Sequence, residues 1–302
     1  GYTEIKSSAF SDNIVENDQY YAVGGAVSVV GNGSFKDCIF KNNLANTTYT
    51  ASGASLYLSK GNVSVSYCNF SDNHANMGAS ICCDNGNMKL SDSNFRNEYA
   101  NEGGSVYLSA SSSEISNSNF TNSHAGYRGG SISLSASEAS IDNCRFMQGS
   151  AYLGGAISCE LSNVTVSDSH FSDNSAEFAG GAVYSSQANT TLTDSQFSAN
   201  TASIGGCAYE CDALRCTFEN NYASTEPGCI NNCGKLTVYN TTFVKNRSFW
   251  WAGAIHTHAG GNTTIYDSNF TDNVAGWNGG ALYTYAYLQI YNSVFVGNNC
   301  TT

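Results

Sequence analysis

The chain has 302 residues, with 12 Lys and Arg against 24 Asp and Glu, and only 12% of its residues are charged. So acidic and charge-poor a sequence lacks the basic footprint that nucleic acid or an anionic membrane surface requires, and no apolar run approaches the length that crosses a bilayer. It opens on a glycine with no cleavable leader, so it reads as a mature segment or as a piece of a longer chain.

The elements come as a repeat. A phrase containing Phe, usually followed three residues later by Asn, begins at Phe10 and Phe40. It returns at Phe70, Phe95, Phe120, Phe146, Phe171 and Phe197, and continues at Phe218, Phe243, Phe270 and Phe295. The first two intervals are 30 residues, most others are 25 or 26, and the shortest, Phe197 to Phe218, is 21. Asn13, Asn43, Asn73, Asn174, Asn200, Asn221, Asn246, Asn273 and Asn298 hold the place after the Phe, with Glu98, Ser123 and Gly149 as replacements. Two residues before each Phe stands a small polar side chain, from Ser8 and Cys38 to Ser268 and Ser293; five before it stands an apolar one, such as Ile5, Val65, Val166 or Ile290. A Gly-[Gly/Ala]-small-aliphatic tetrad then follows, closing on Val27 and Leu56 in the two long coils and on Ile81 through Leu282 in the others.

Short alternating runs such as Asn163–Ser167 and Ala281–Tyr285 mark half-buried strands, punctuated by Gly, Asn, Asp and Ser. A unit this short cannot bury its own apolar face, so the copies must stack and share one core. The expected fold is all-β, a right-handed parallel β-helix of about twelve coils of roughly 25 residues forming one domain over 1–302. Handedness follows from the general crossover rule. Coils stacked at roughly 4.8 Å give a rod on the order of 55 Å long. The Phe column becomes an internal ladder, and the Asn column a turn ladder whose members bond one another and take left-handed backbone angles. Such a core is complete without a cofactor, and none is expected.

The GGA[ILV] and FxxN columns resemble the passenger repeats of the polymorphic outer membrane protein family of chlamydiae, and similar repeats occur in adhesin-like surface proteins. The resemblance spans essentially all 302 residues. It implies a surface-displayed β-helix used in adhesion, without one conserved active site; the terminal β-barrel of that family has no counterpart in this sequence.

Candidate sites fall along the same columns. Sequons occur at Asn32, Asn46, Asn62, Asn69, Asn119, Asn163, Asn189, Asn240, Asn246, Asn262, Asn269 and Asn299, and N-linked glycans are expected on a secretory route. Asn69, Asn119 and Asn269 directly precede an inward Phe and should point outward. Cys207 with Cys229, and Cys211 with Cys233, share columns in adjacent coils beside the shortest repeat and Pro227; inter-coil disulfides are expected there, with zinc held by the Cys-x-x-x-Cys pairs as the alternative. Cys38, Cys68, Cys144 and Cys216 read as replacements for Ser in the small column. His256 and His258 share a strand face, but no third metal ligand is visible near them in sequence. Asp12, Asp72, Asp173 and Asp272 stand two after a Phe in non-adjacent coils, so no carboxylate pair for glycosidic hydrolysis forms within that column, and no enzyme is expected. Tyr57, Tyr107, Tyr184, Tyr209 and Tyr283 lie on the outward face after the tetrad glycine, either as a binding stripe or as ordinary outward strand residues. Tyr127, Phe178, Trp250, Trp251 and Trp277 crowd the turn before it, and the tryptophans read as a contact surface.

The expected role is extracellular or cell-surface, structural or adhesive. Unfinished coils at both ends would template further pairing, so end-to-end assembly into a filament leads. A monomeric adhesin rod that binds a glycan or surface receptor is the alternative, with polysaccharide cleavage behind both.

Overall fold

The computed structural model describes residues 1–17, 21–47 and 49–301. Among the described residues every regular element is a strand, and no helix is long and apolar enough to cross a membrane. Each coil has four sides, seen clearly around Phe171: the strand Asn163–Ser167, the Phe strand His170–Ser172, the strand after the Asn, Ser175–Ala179, and the tetrad strand Val183–Ser186. Like sides pair in parallel, giving 12-stranded, 12-stranded, nine-stranded and 11-stranded sheets in that order, with two short pairs extending the third side at the first coils. Twelve Phe strands therefore bound eleven complete turns.

Register is strict because one face of every side is buried, and a one-residue slip would turn the core residues outward. Phe171 pairs with Phe146 and Phe197, and Val166 with Ile141 and Leu192. The Phe rings from Phe10 to Phe295 form an unbroken stack, with centroids from 4.6 to 5.0 Å apart in pairs such as Phe243–Phe270 and Phe218–Phe243. Phe40 through Phe270 are all at most 1% exposed.

The corners are built from polar columns. Two before the Phe, the hydroxyl donates to the carbonyl two residues back, as Ser93 does to Ser91 O (2.7 Å), and accepts the backbone N–H of the equivalent residue one coil earlier, as from Cys68 N (3.1 Å). The thiols of Cys38, Cys68, Cys144 and Cys216 make the same backward bond, which accounts for Cys in a Ser column. The Asn column is buried and bonded up the axis, but its residues do not carry the left-handed angles. Those fall on the residue just before the Asn (Asp12, Asp72, Asp173 and Asp272, at φ 53 to 58°) and three before the Phe (Asp92, Asn117, Asp168). Asp and Asn tolerate that conformation better than other residues with a Cβ. This is the local reason for the FxDN form.

Glu98 replaces Asn in the ladder and is 1% exposed; Asn73 Nδ2 donates to its Oε1 (3.1 Å) and Ser80 Oγ to its Oε2 (2.6 Å). Burial drives this carboxyl well above the ordinary value, a push that the two donors oppose and that the Asp72 charge adds to. Because the folded-state value is raised, its contribution is fully present below the ordinary Glu value of about 4.3 and is lost as pH rises toward the folded value. Glu98→Gln keeps the bond from Asn73 through its Oε1 and turns the other contact round, its Nε2 donating to Ser80 Oγ, without a charge to desolvate. Thermal melts should give parent and variant similar midpoints near pH 4, with the variant ahead by several degrees at pH 8; a gap of constant size would show that the carboxyl does not titrate differently on folding.

Candidate functional site

Two surfaces break the uniformity of the rod. One is a longitudinal groove beside the tetrad sheet. The first tetrad glycine turns the chain through a left-handed angle, as at Gly103 (φ 60°) and Gly180 (φ 67°), so the outward side of the tetrad strand folds back toward the end of the preceding strand. One wall carries Glu102, Arg128, Leu153, Ala179, Ile204 and Glu226 in register. The other carries the column that includes Tyr57, Cys82, Tyr107, Ser133, Ser158, Tyr184, Tyr209, Asn231, His256 and Tyr283.

The tyrosines of this column face away from the core, but into the groove and not into open solvent. Tyr107 is only 9% exposed, while Tyr57, Tyr184, Tyr209 and Tyr283 are half-buried. Tyr57 Oη donates to Asp84 Oδ2 (3.3 Å), Tyr184 stacks on Tyr209 (5.0 Å), and burial lifts the Tyr57 phenol to about 12. Arg128, whose guanidinium pairs with Glu160, bridges the groove midway along the rod.

At the groove's C-terminal end, Glu226 closes the strand Tyr222–Glu226 and faces His256 in the strand Ile255–Thr257 one coil on. His256 Nδ1 lies 2.8 Å from Glu226 Oε2, and the rings of His256 and His258 are 4.1 Å apart. Burial, then the neighbouring His258, lowers His256 to about 4, and burial raises Glu226 to about 7. The sequence showed only two of these three groups, because Glu226 lies 30 residues from His256, in the preceding coil.

The second surface is aromatic. Tyr222, Phe249 and Trp277 are 41%, 57% and 53% exposed, and with Arg247 and Trp250 they line a shallow cleft. Trp250 meets Trp277 edge to face at 4.6 Å. Trp251 points the other way, into the groove against His256 and Tyr283, and does not belong to this surface. Tyr127 and Phe178 join a separate exposed stack through Tyr152, with centroids 6.0 and 5.6 Å apart.

Eleven sequon asparagines are exposed or half-exposed, including Asn69, Asn119 and Asn269; the last residue of the Asn46 sequon, Thr48, lies outside the described residues. Asn246 is the correction. It is fully buried in the inner ladder, donating to Asn273 Oδ1 (2.9–3.0 Å apart along this ladder) and to Phe218 O (3.0 Å), so the folded coil has no room for a glycan there.

All described cysteines are free thiols. Cys207 and Cys229 stack in one inward column, joined through the backbone by Cys207 N–H donating to Cys229 O (3.1 Å). Cys211 and Cys233 do not face each other: Cys211 is buried, whereas Cys233 is exposed beside Tyr209 Oη (3.5 Å). The tetrad strand of the short coil is only Ala208–Tyr209, two residues where the preceding coils have four, so the left-handed corner that falls on Ala110, Leu161 and Gln187 elsewhere comes early, on Glu210, and places Cys211 inward. Asp12 and Asp72 accept side-chain bonds from Asn42 (3.2 Å) and Asn97 (3.0 Å), a structural use of these corner carboxylates.

Comparison with known proteins adds two family matches. Residues 54–223 match the family described as right handed beta helix region, and residues 267–285 match the Chlamydia polymorphic membrane protein repeat. A solved structure of the surface protein and adhesin PfbA of Streptococcus pneumoniae is similar over 98% of this chain and 91% of that one, at 12% identity and a TM-score of 0.37. No curated protein matches the sequence.

Proposed function

This chain belongs to the right handed beta helix family, and from that premise we propose that it is an extracellular or cell-surface β-solenoid whose adhesive contact is the cleft of Tyr222, Arg247, Phe249, Trp250 and Trp277. The exposure of three large aromatic side chains around one cationic group carries the reading. Flat apolar rings stack on the faces of sugars or grip a partner surface, and a guanidinium adds directed donors. The repeat resembling the chlamydial membrane-protein repeat lies at the same end of the chain and supports a surface setting.

Glycan-array binding followed by titration tests the proposal. Trp277→Ala should weaken binding to the selected glycan by about tenfold or more, in keeping with the loss expected for a central aromatic anchor, while leaving the melting midpoint near the parent's because Trp277 is half exposed. Unchanged affinity in both Trp277→Ala and Phe249→Ala would sink it. Exposed sequons at positions such as Asn163 and Asn262 fit N-linked glycans on a secreted rod. Their attachment is read by intact mass before and after glycosidase treatment of protein from its native source.

We also propose end-to-end assembly of copies, supported by the uniform parallel pairing through which each coil seats the next. Electron microscopy across a concentration series should reveal filaments; monodisperse rods at every concentration would exclude assembly.

A further inference from the structure

The end of the groove that holds Glu226, His256 and His258 has the chemistry of a cation site. One ligand-capable atom of each residue lies within 4.8 Å of the others. Ligands around a tetrahedral zinc ion at about 2.0–2.2 Å are roughly 3.4 Å from one another, so small side-chain rotations bring these three into a common shell.

The hydrogen bonding points the same way. His256 is fully buried, yet neither ring nitrogen has an aligned hydrogen-bond partner, and Glu226 Oε2 has none despite its 2.8 Å approach to Nδ1. Buried polar atoms are almost always paired in native proteins, and an unpaired group calls for an explanation such as an ion. His258 is already oriented as ligating histidines are, because its Nε2 lies 2.8 Å from Asn231 Oδ1. The tautomer that donates to that oxygen leaves Nδ1 with its lone pair free, the outer-partner arrangement that fixes metal-bound imidazoles. Trp251 and Tyr283 wall the cluster on the groove side and reduce its contact with water.

We propose that Glu226, His256 and His258 bind one divalent late first-row transition-metal ion, leaving a fourth position for water or a group from outside. Two imidazoles and one carboxylate suit Zn²⁺, Ni²⁺ or Cu²⁺ better than Ca²⁺ or Mg²⁺, which favour oxygen shells. The ligands come from consecutive coils, so the ion also pins one coil to the next. The sequence repeat does not encode this site, since His, Asn and Tyr occupy successive levels of the same column.

The test uses the whole chain, stripped with chelator and titrated separately with Zn²⁺ and Co²⁺. One Zn²⁺ per chain by elemental analysis after dialysis is expected. Co²⁺ should give visible ligand-field bands that saturate at one equivalent, and the melting midpoint should rise with Zn²⁺. His258→Ala should lower Zn²⁺ affinity about 100-fold and remove the bands, and Glu226→Gln should lower affinity about 10- to 100-fold, whereas His170→Ala at an exposed site in another coil should change nothing. Circular dichroism of the metal-free variants checks folding, and if His258→Ala fails that check, His258→Gln takes its place. Absence of stoichiometric Zn²⁺, or binding that survives the His258 substitution, overturns the proposal.

Discussion

Phe171→Ala should lower stability by about 3–5 kcal/mol, the range for emptying a fully buried aromatic site. Phe171 is 1% exposed and sits between Phe146 and Phe197, each 4.7 Å away by ring centroid. Its neighbours cannot close the gap, because both are held in register by parallel strands on the same side. The loss combines the transfer of a phenyl ring with two stacking contacts, each worth about 0.5–1.5 kcal/mol in favourable geometry. Stacked repeats interact mainly with their nearest neighbours, so damage should begin locally and a single melting midpoint understates it. Hydrogen exchange is therefore the sharper readout: amides of the Phe146, Phe171 and Phe197 strands should lose protection before those near Phe70. Phe295→Ala supplies the contrast, because that ring is 40% exposed and stacks on one neighbour, and should cost clearly less in urea titrations. Equal costs at the two positions would mean that the ladder does not contribute through burial.

Asn221→Ala is expected to cost roughly 2–5 kcal/mol, because several buried partners lose their bonds together. Asn221 is fully buried; its Nδ2 donates to Asn246 Oδ1 (2.9 Å) and Phe197 O (3.1 Å), and its Oδ1 accepts from both Asn200 N and Asn200 Nδ2 (3.0 Å each). Alanine leaves the Asn200 backbone N–H and the Phe197 carbonyl in a dry interior without these partners. Asn221→Asp is the discriminating variant. It preserves shape but places a second oxygen opposite Asn246 Oδ1 and Phe197 O, so it should be at least as destabilising as Ala near neutral pH. Urea denaturation of both variants reads the order. If Asn221→Ala costs under about 1 kcal/mol, comparable with one ordinary hydrogen bond, the ladder is not a cooperative support of the coil.

The columns that build the interior were legible because they follow one period: Phe every coil, Asn three later, a small polar residue two earlier. Asn246 was misleading for the same reason in reverse, since a sequon is a local pattern whereas its burial comes from membership in a column. The groove was not legible. Strand alternation separates core-facing from outward residues, but it does not tell whether an outward residue meets another wall, and left-handed glycines such as Gly180 create that wall. Tyr107 therefore lies covered, and Glu226 approaches His256 across coils, although nothing in the spacing of either residue announces it. The short coil similarly separated Cys211 from Cys233 by changing the path of the corner while leaving the strand order intact.

The asparagine ladders also have a direction. In the interior, each Nδ2 donates to the following coil, from Asn174 through Asn200, Asn221, Asn246 and Asn273 to Asn298. On the exterior the sense is opposite: Asn87 donates back to Asn62, Asn94 to Asn69, Asn119 to Asn94 and Asn189 to Asn163. Aligned amides polarise one another along a chain, so a single-sense array would build an axial electric moment that grew with every added coil. Two opposed arrays make their moments subtract. Lengthening this rod can thus strengthen cohesion between coils without steadily charging its poles.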